Sequence, residues 1–154
     1  MRWPNDWRVW NWNIRWLVSD FSLHQTLARL TVVADWPLNL ILLENDRRFP
    51  WLVMVPKRPG LRDLHDLPST DRHVCMMEVC TASAALANGL TADKINVAAL
   101  GNQVPQLHIH VIARWTSDAA WPGPVWLAGP AEPYAASDYA ARRDELQHLL
   151  ADAI

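Results

Sequence analysis

Alternation and clustering of apolar residues divide most of the chain into short strands and two helices. "LNLILLE" (38–44) and "WLVMVP" (51–56) are compact apolar runs rich in β-formers, joined by the six residues "NDRRFP", and they predict a hairpin. "KINVAAL" (94–100) and "QLHIHVIARW" (106–115) predict a second hairpin around "GNQVP". Between the hairpins, Met76, Val79, Cys80, Ser83, Leu86, Ala87 and Leu90 recur at helical spacing, so a long helix is expected with Ser69 as its N-cap and "NG" at 88–89 as its stop. "FSLHQTLARLTVV" (21–33) predicts a short helix from near Ser22, with Leu23, Leu27 and Leu30 on one face. Pro and Gly mark 121–133 as loop, and Ser137 is placed to cap a final helix reaching about Leu150. Hairpin, helix, hairpin, helix argues for the α+β class: an antiparallel sheet of about five strands with a long helix and a C-terminal helix.

Composition narrows the picture without supplying chemistry. At 154 residues and 51% hydrophobic, the chain suits one domain with a real core. A formal charge of −2 with 19% charged residues offers no basic field for nucleic acid, so a nucleotide-like ligand must be held by a site. No apolar run is long enough to span a membrane, and the N-terminus lacks the apolar core of a signal peptide. Cys75 and Cys80 lie five apart in the expected long helix, pointing about 140° away from each other, and cannot bridge. A reducing, cytoplasmic setting is expected. Residues 1–19 stand apart as a Trp-rich extension: "MRWPNDWRVWNWNIRW" holds five of the ten Trp and shows neither helix nor strand period. Its indoles could pack on the domain or on a partner, or form a stacking surface for bases.

The candidate chemistry lies in "VPQLHIHVIARW" (104–115). A strand alternates faces, so Leu107, Ile109 and Val111 are expected to enter the core beneath the helix while Gln106, His108 and His110 face outward, the two imidazoles attached about 7 Å apart. Three readings follow. The row could be a solvated strand face. It could bind zinc or iron, although a third ligand is needed and "VIARW" supplies none before Asp118. Or one imidazole could attack phosphorus while its neighbour steadies charge on phosphate oxygens. His24, His65, His73 and His148 have no spacing partner and are expected to be solvated or capping residues.

"QVPQLHIHVIAR" resembles the signature of the histidine triad (HIT) family, in which three His alternate with apolar residues on a strand after a Gly and polar loop. "LNLILLEND" followed by "FPWLVMVPKRP" is similar to the family's upstream nucleotide-binding hairpin, and "DAAWPGPVW" to a Trp-Pro stretch downstream of the triad in some members. The likeness covers roughly residues 20–130, so residues 20–154 are expected to form a HIT-like domain.

Carried over residue by residue, the resemblance makes His108 the nucleophile and His110 the group that binds the transferred phosphate. The first triad place is Gln106, where the family uses a main-chain carbonyl to accept the nucleophile's second N–H; Gln offers that carbonyl but cannot pass a proton to a leaving group. Trp51 stands where several members carry a further His. Asn45 matches a ribose-contacting Asn, with Asp46 nearly as well placed. Asn102 and Gln103 match polar positions along the phosphate chain, and Arg114, on the face of His110, could meet a phosphate. The resemblance implies a homodimer acting on a nucleoside phosphate derivative through a nucleotidyl-histidine, with no metal or cofactor. A nucleotide-binding module weakened by Gln106 and Trp51 is the alternative, and a metal-dependent enzyme the third.

Overall fold

The computed structural model describes residues 20–153. The Trp-rich block 1–19 lies outside them.

Five strands form one antiparallel sheet: β1 (Thr31–Asp35), β2 (Asn39–Leu43), β3 (Trp51–Pro56), β4 (Lys94–Ala98) and β5 (Ile109–Arg114), in the order β1-β2-β3-β5-β4. Two helices, α1 (Ser69–Gly89) and α2 (Ala136–Ala151), complete the α+β architecture. The expected β2 and β3 form with Leu43 opposite Leu52 and Asn39 opposite Pro56. Their apolar runs are continuous because both faces of the sheet are covered, which removes the solvent face that would otherwise impose alternation. On one face Ile41, Leu43, Leu52, Met54, Ile109 and Val111 pack against Val79, Ala82 and Leu86 of α1 and Leu146 and Leu150 of α2. On the other, Leu42, Trp51, Val53, Val55 and Ile112 meet Leu27, Phe49 and Val125, which come from the connecting loops.

Several expectations are corrected. Residues 21–33 do not form a helix: one 3-10 turn (Leu27–Arg29) gives way to β1, because the β-branched Thr31, Val32 and Val33 pair with β2 rather than continue the leucine spacing. The second hairpin pairs as expected, Ala98 opposite His110, but its strands are shorter and 99–108 is a ten-residue connection. The buried stripe of α1 is rotated from the predicted one. Cys75, Glu78, Val79, Ala82 and Leu86 are buried, whereas Met76 and Cys80 are exposed. Glu78 belongs inside because its carboxylate accepts hydrogen bonds from Leu38 N, Asn39 N and Asn39 Nδ2 at 2.8–2.9 Å, tying the helix to the start of β2.

The helix ends also differ in mechanism. Pro68, not Ser69, is the N-cap of α1, and its carbonyl accepts from Asp71 and Arg72. At the other end Thr91, at φ 52°, makes the left-handed turn. Gly89 stays helical, and a Cβ there would come within 2.4 Å of the Leu149 side chain, so this glycine lets α2 pack closely. Ser137 lies inside α2, behind the N-cap Ala135, and its hydroxyl bonds Asp138.

Candidate functional site

The polar row around the triad segment is not a solvated face. His108 and His110 are 8% and 7% exposed, because the loops carrying Leu27, Phe49, Val125 and Trp126 roof this side of the sheet. β5 begins at Ile109, so Gln106 and His108 lie on the extended segment leading into it, held to the neighbouring loop by the bond from Leu107 N to Leu61 O at 2.9 Å.

The two imidazoles stand edge to face, with centroids 4.9 Å apart. His108 Nδ1 is 2.7 Å from the Gln106 carbonyl oxygen. A carbonyl only accepts, so in the neutral ring the proton sits on Nδ1 and Nε2 presents a lone pair. His110 has the opposite arrangement: its Nδ1 accepts the indole N–H of Trp51 at 2.9 Å, which leaves its proton on Nε2. Burial, with a smaller contribution from His108, holds its pKa down at about 4. Trp126 closes the other side, its ring 5.2 Å from His110 and 5.4 Å from Trp51.

These groups open onto a cavity of about 360 Å³ lined by His108, His110, Trp126, Asn102, Gln103 and the turn at Gly101. Gly101, at φ 66°, supplies a left-handed conformation that favours glycine. Asn102 and Gln103 thus share a cavity with both histidines.

The remaining predicted residues are engaged elsewhere. Gln106 turns its side-chain amide from the histidines: Oε1 accepts His24 N at 2.8 Å and Nε2 donates to Ser22 O at 2.9 Å. Arg114 is neither a surface charge nor open to a ligand. It is 1% exposed, bonded to both Asp118 carboxylate oxygens (2.7 and 2.9 Å), Asn96 Oδ1 (2.6 Å) and Gly123 O (3.0 Å), between the rings of Phe49 and Trp121. Burial works to raise the Asp118 carboxyl, but Arg114 and the N–H groups of Ala120 and Trp115 outweigh it and hold the pKa below the usual carboxylate value. Asp46 is buried in a pair with Arg48, which also donates to the carbonyls of Ala128 and Pro130. The Asn45 side chain accepts Tyr134 N at 3.0 Å.

Two residues gain significance only in three dimensions. Trp126, within the predicted 121–133 loop, becomes a cavity wall; the downstream Trp-Pro stretch was its one sequence signal. Glu44 follows β2, where its N–H pairs with Trp51 O; burial pushes its carboxyl up, with a counter-pull from Asn45 N–H and, more weakly, from His108. Among the described residues, Asp63, His65 and Asp66 could converge on a cation, but all are exposed and Asp66 already accepts the N–H groups of Arg62 and Asp63. The His24 side chain makes a local bond, its Nδ1 accepting Thr26 N at 3.2 Å.

An antiparallel α+β sheet carries two histidines at alternate positions at the start of β5, beside a polar loop and a cavity. The HIT domain model matches residues 26–117, and the chain belongs to the HIT domain family. A histidine triad protein from Marinobacter aquaeolei VT8 is 39% identical, with a TM-score of 0.82 over 87% of this chain and 98% of that one. Those from Bradyrhizobium japonicum (39%, TM-score 0.80, covering 84% and 98%) and Sinorhizobium meliloti 1021 (37%, TM-score 0.81, covering 85% and 98%) are similar to the same extent. No curated protein matches the chain. HIT family membership carries nucleotide binding, and hydrolase or transferase activity in general.

Proposed function

We propose that the protein is a nucleotide hydrolase or nucleotidyl transferase acting on a dinucleoside polyphosphate or nucleoside phosphoramidate through a covalent nucleotidyl-His108. The observation that supports this most strongly is the pair of opposed tautomers: His108 offers a lone pair on Nε2, and His110 beside it offers an Nε2–H. In the first step Nε2 of His108 forms a bond to the α-phosphorus as the bond to the leaving group breaks, and the leaving group departs with the electron pair. His110 donates to a non-bridging oxygen, where negative charge builds up. Asn102 and Gln103 extend the donor set along the cavity. In the second step water or another acceptor attacks phosphorus and loses its proton to solvent, while the P–N bond breaks and its electron pair returns to His108 Nε2. Two displacements through an imidazole need no metal.

Gln106 takes the first triad place and acts through its carbonyl. Its side chain holds the Ser22–His24 segment and has no proton to give, so leaving groups that depart readily are the preferred substrates. Asn45 and Asp46, beside the end of β2, support the ribose side of the ligand through the frame they build rather than through free side chains. Arg114 does the same for the phosphate side by fixing the loop that carries Trp126.

We further infer a homodimer. β4 is an edge strand, and its exposed Val97 shares an apolar cavity of about 280 Å³ with exposed Met76 of α1, a helix that also exposes Val74 and Met77. A second copy would cover this apolar surface. Two free thiols and, among the described residues, no helix long and apolar enough to cross a membrane support a cytoplasmic setting.

Release of nucleotide from adenosine and guanosine phosphoramidates and dinucleoside polyphosphates tests the reading. Turnover lost in His108→Ala supports it. Binding without release from every substrate would make the chain a nucleotide-binding module instead.

A further inference from the structure

We propose that Trp51 is a positioning residue that locks His110 in its Nε2–H tautomer and keeps it neutral, so that His110 meets an anion in the cavity as a fixed hydrogen-bond donor and not as a cation. An indole N–H can only donate. With Trp51 Nε1 at 2.9 Å from His110 Nδ1, that nitrogen must carry a lone pair. Protonating it would set two N–H groups against each other, so His110 could gain a charge only by breaking the bond and moving. Movement is opposed on several sides. Trp51 is 7% exposed and packed with Phe49, Val53 and Ile112, and Trp126 lies edge-on to both the indole and the imidazole.

The groups around His110 add no compensating negative charge. Trp51 from β3, Trp126 from the loop before α2, and Asn102 and Gln103 from the loop before β5 are all neutral. Among the described residues, His108 is the titratable side chain whose charge acts on it, and it opposes protonation together with burial. A histidine at position 51 could donate to His110 in one tautomer and accept in another; tryptophan removes that choice. The function of the lock rests on the phosphate reading above, but the tautomer itself exists without substrate and is measured without it.

The test is imidazole-nitrogen NMR on the isotope-labelled full chain, with no ligand present, comparing wild type, Trp51→Phe and Trp51→His across a pH titration. In wild type, His110 should show the Nε2–H pattern and remain neutral at pH 6.5, the ordinary histidine midpoint. Trp51→Phe, which keeps an aromatic side chain but removes the donor, should show both tautomers and a midpoint moved up toward that value. Trp51→His, which can still donate, should restore part of the wild-type pattern. A wild-type spectrum with the proton on Nδ1, or a cationic His110 at neutral pH, would overturn the proposal whether or not either variant folds. So would a folded Trp51→Phe whose His110 spectrum and titration match wild type. Loss of nucleotide release with the tautomer intact would count against the catalytic reading alone.

Discussion

At the scale of single residues, two protons define the site. Main-chain and indole partners fix them on different ring atoms of neighbouring histidines; the family likeness pointed to the first, whereas the indole partner of His110 could not be read from the sequence. Alternation brought Gln106, His108 and His110 to one side, and the family likeness supplied the carbonyl that orients His108. The side chain of Gln106 was another matter, because its partners Ser22 and His24 lie more than eighty residues away. Gln106→Ala should therefore loosen the 20–26 segment by about 1 kcal/mol, the ordinary worth of such hydrogen bonds, as measured by chemical denaturation. It should leave the rate of nucleotidyl-enzyme formation within about tenfold of wild type, because the orienting carbonyl remains. A loss as complete as that of His108→Ala would show that the amide itself acts on the substrate. His110 also makes stability depend on pH. Its folded pKa of about 4 lies below the ordinary 6.5, so the unfolded chain binds the extra proton and stability falls as pH drops through this window. The gap corresponds to about 3 kcal/mol at full effect. Denaturation midpoints across that range should decline in wild type and decline less in His110→Phe.

At the scale of elements, legibility followed burial. β2 and β3 were readable because a strand covered on both faces becomes a short uninterrupted apolar run. The 21–33 segment misled because leucines at helical spacing precede three β-branched residues that the sheet captures. The face of α1 misled because Glu78, polar by composition, is buried by three donors at the start of β2, which rotates the apolar stripe. Loops in this fold depend on polar networks that no periodicity reveals. The connection after β5 is anchored where Arg114 meets Asp118 and Gly123 in the interior, and that anchor sets the path on which Trp126 reaches His110. Asp118→Ala would strand a buried guanidinium, so a cost of about 3–5 kcal/mol is expected in denaturation experiments. Weaker nucleotide binding should accompany it, as the Trp126 wall loses its support. A loss below ~1 kcal/mol, the scale of an exposed pair, would show that the network is not structural.

At the scale of the whole molecule, one face of the domain is closed by loops over the histidines while β4 and the outer side of α1 remain apolar and open. The sequence phasing placed Met76 in the core, so this surface came into view only when the helix was seen rotated about Glu78. Light scattering should find the wild type as a dimer. Val97→Glu combined with Met76→Glu, which puts charge into the exposed apolar surface, should give a folded monomer; a monomeric wild type would contradict the assignment of this face. In the proposed function the central event is attack of His108 Nε2 on phosphorus. Rapid quenching of the enzyme with an adenosine phosphoramidate, followed by mass spectrometry of the intact chain and its peptides, tests that most directly. The account predicts a transient adenylyl adduct on His108 that is labile to acid, stable to base, and absent from His108→Ala. Nucleotide release at wild-type rate from His108→Ala, or an adduct on any other residue, would contradict it.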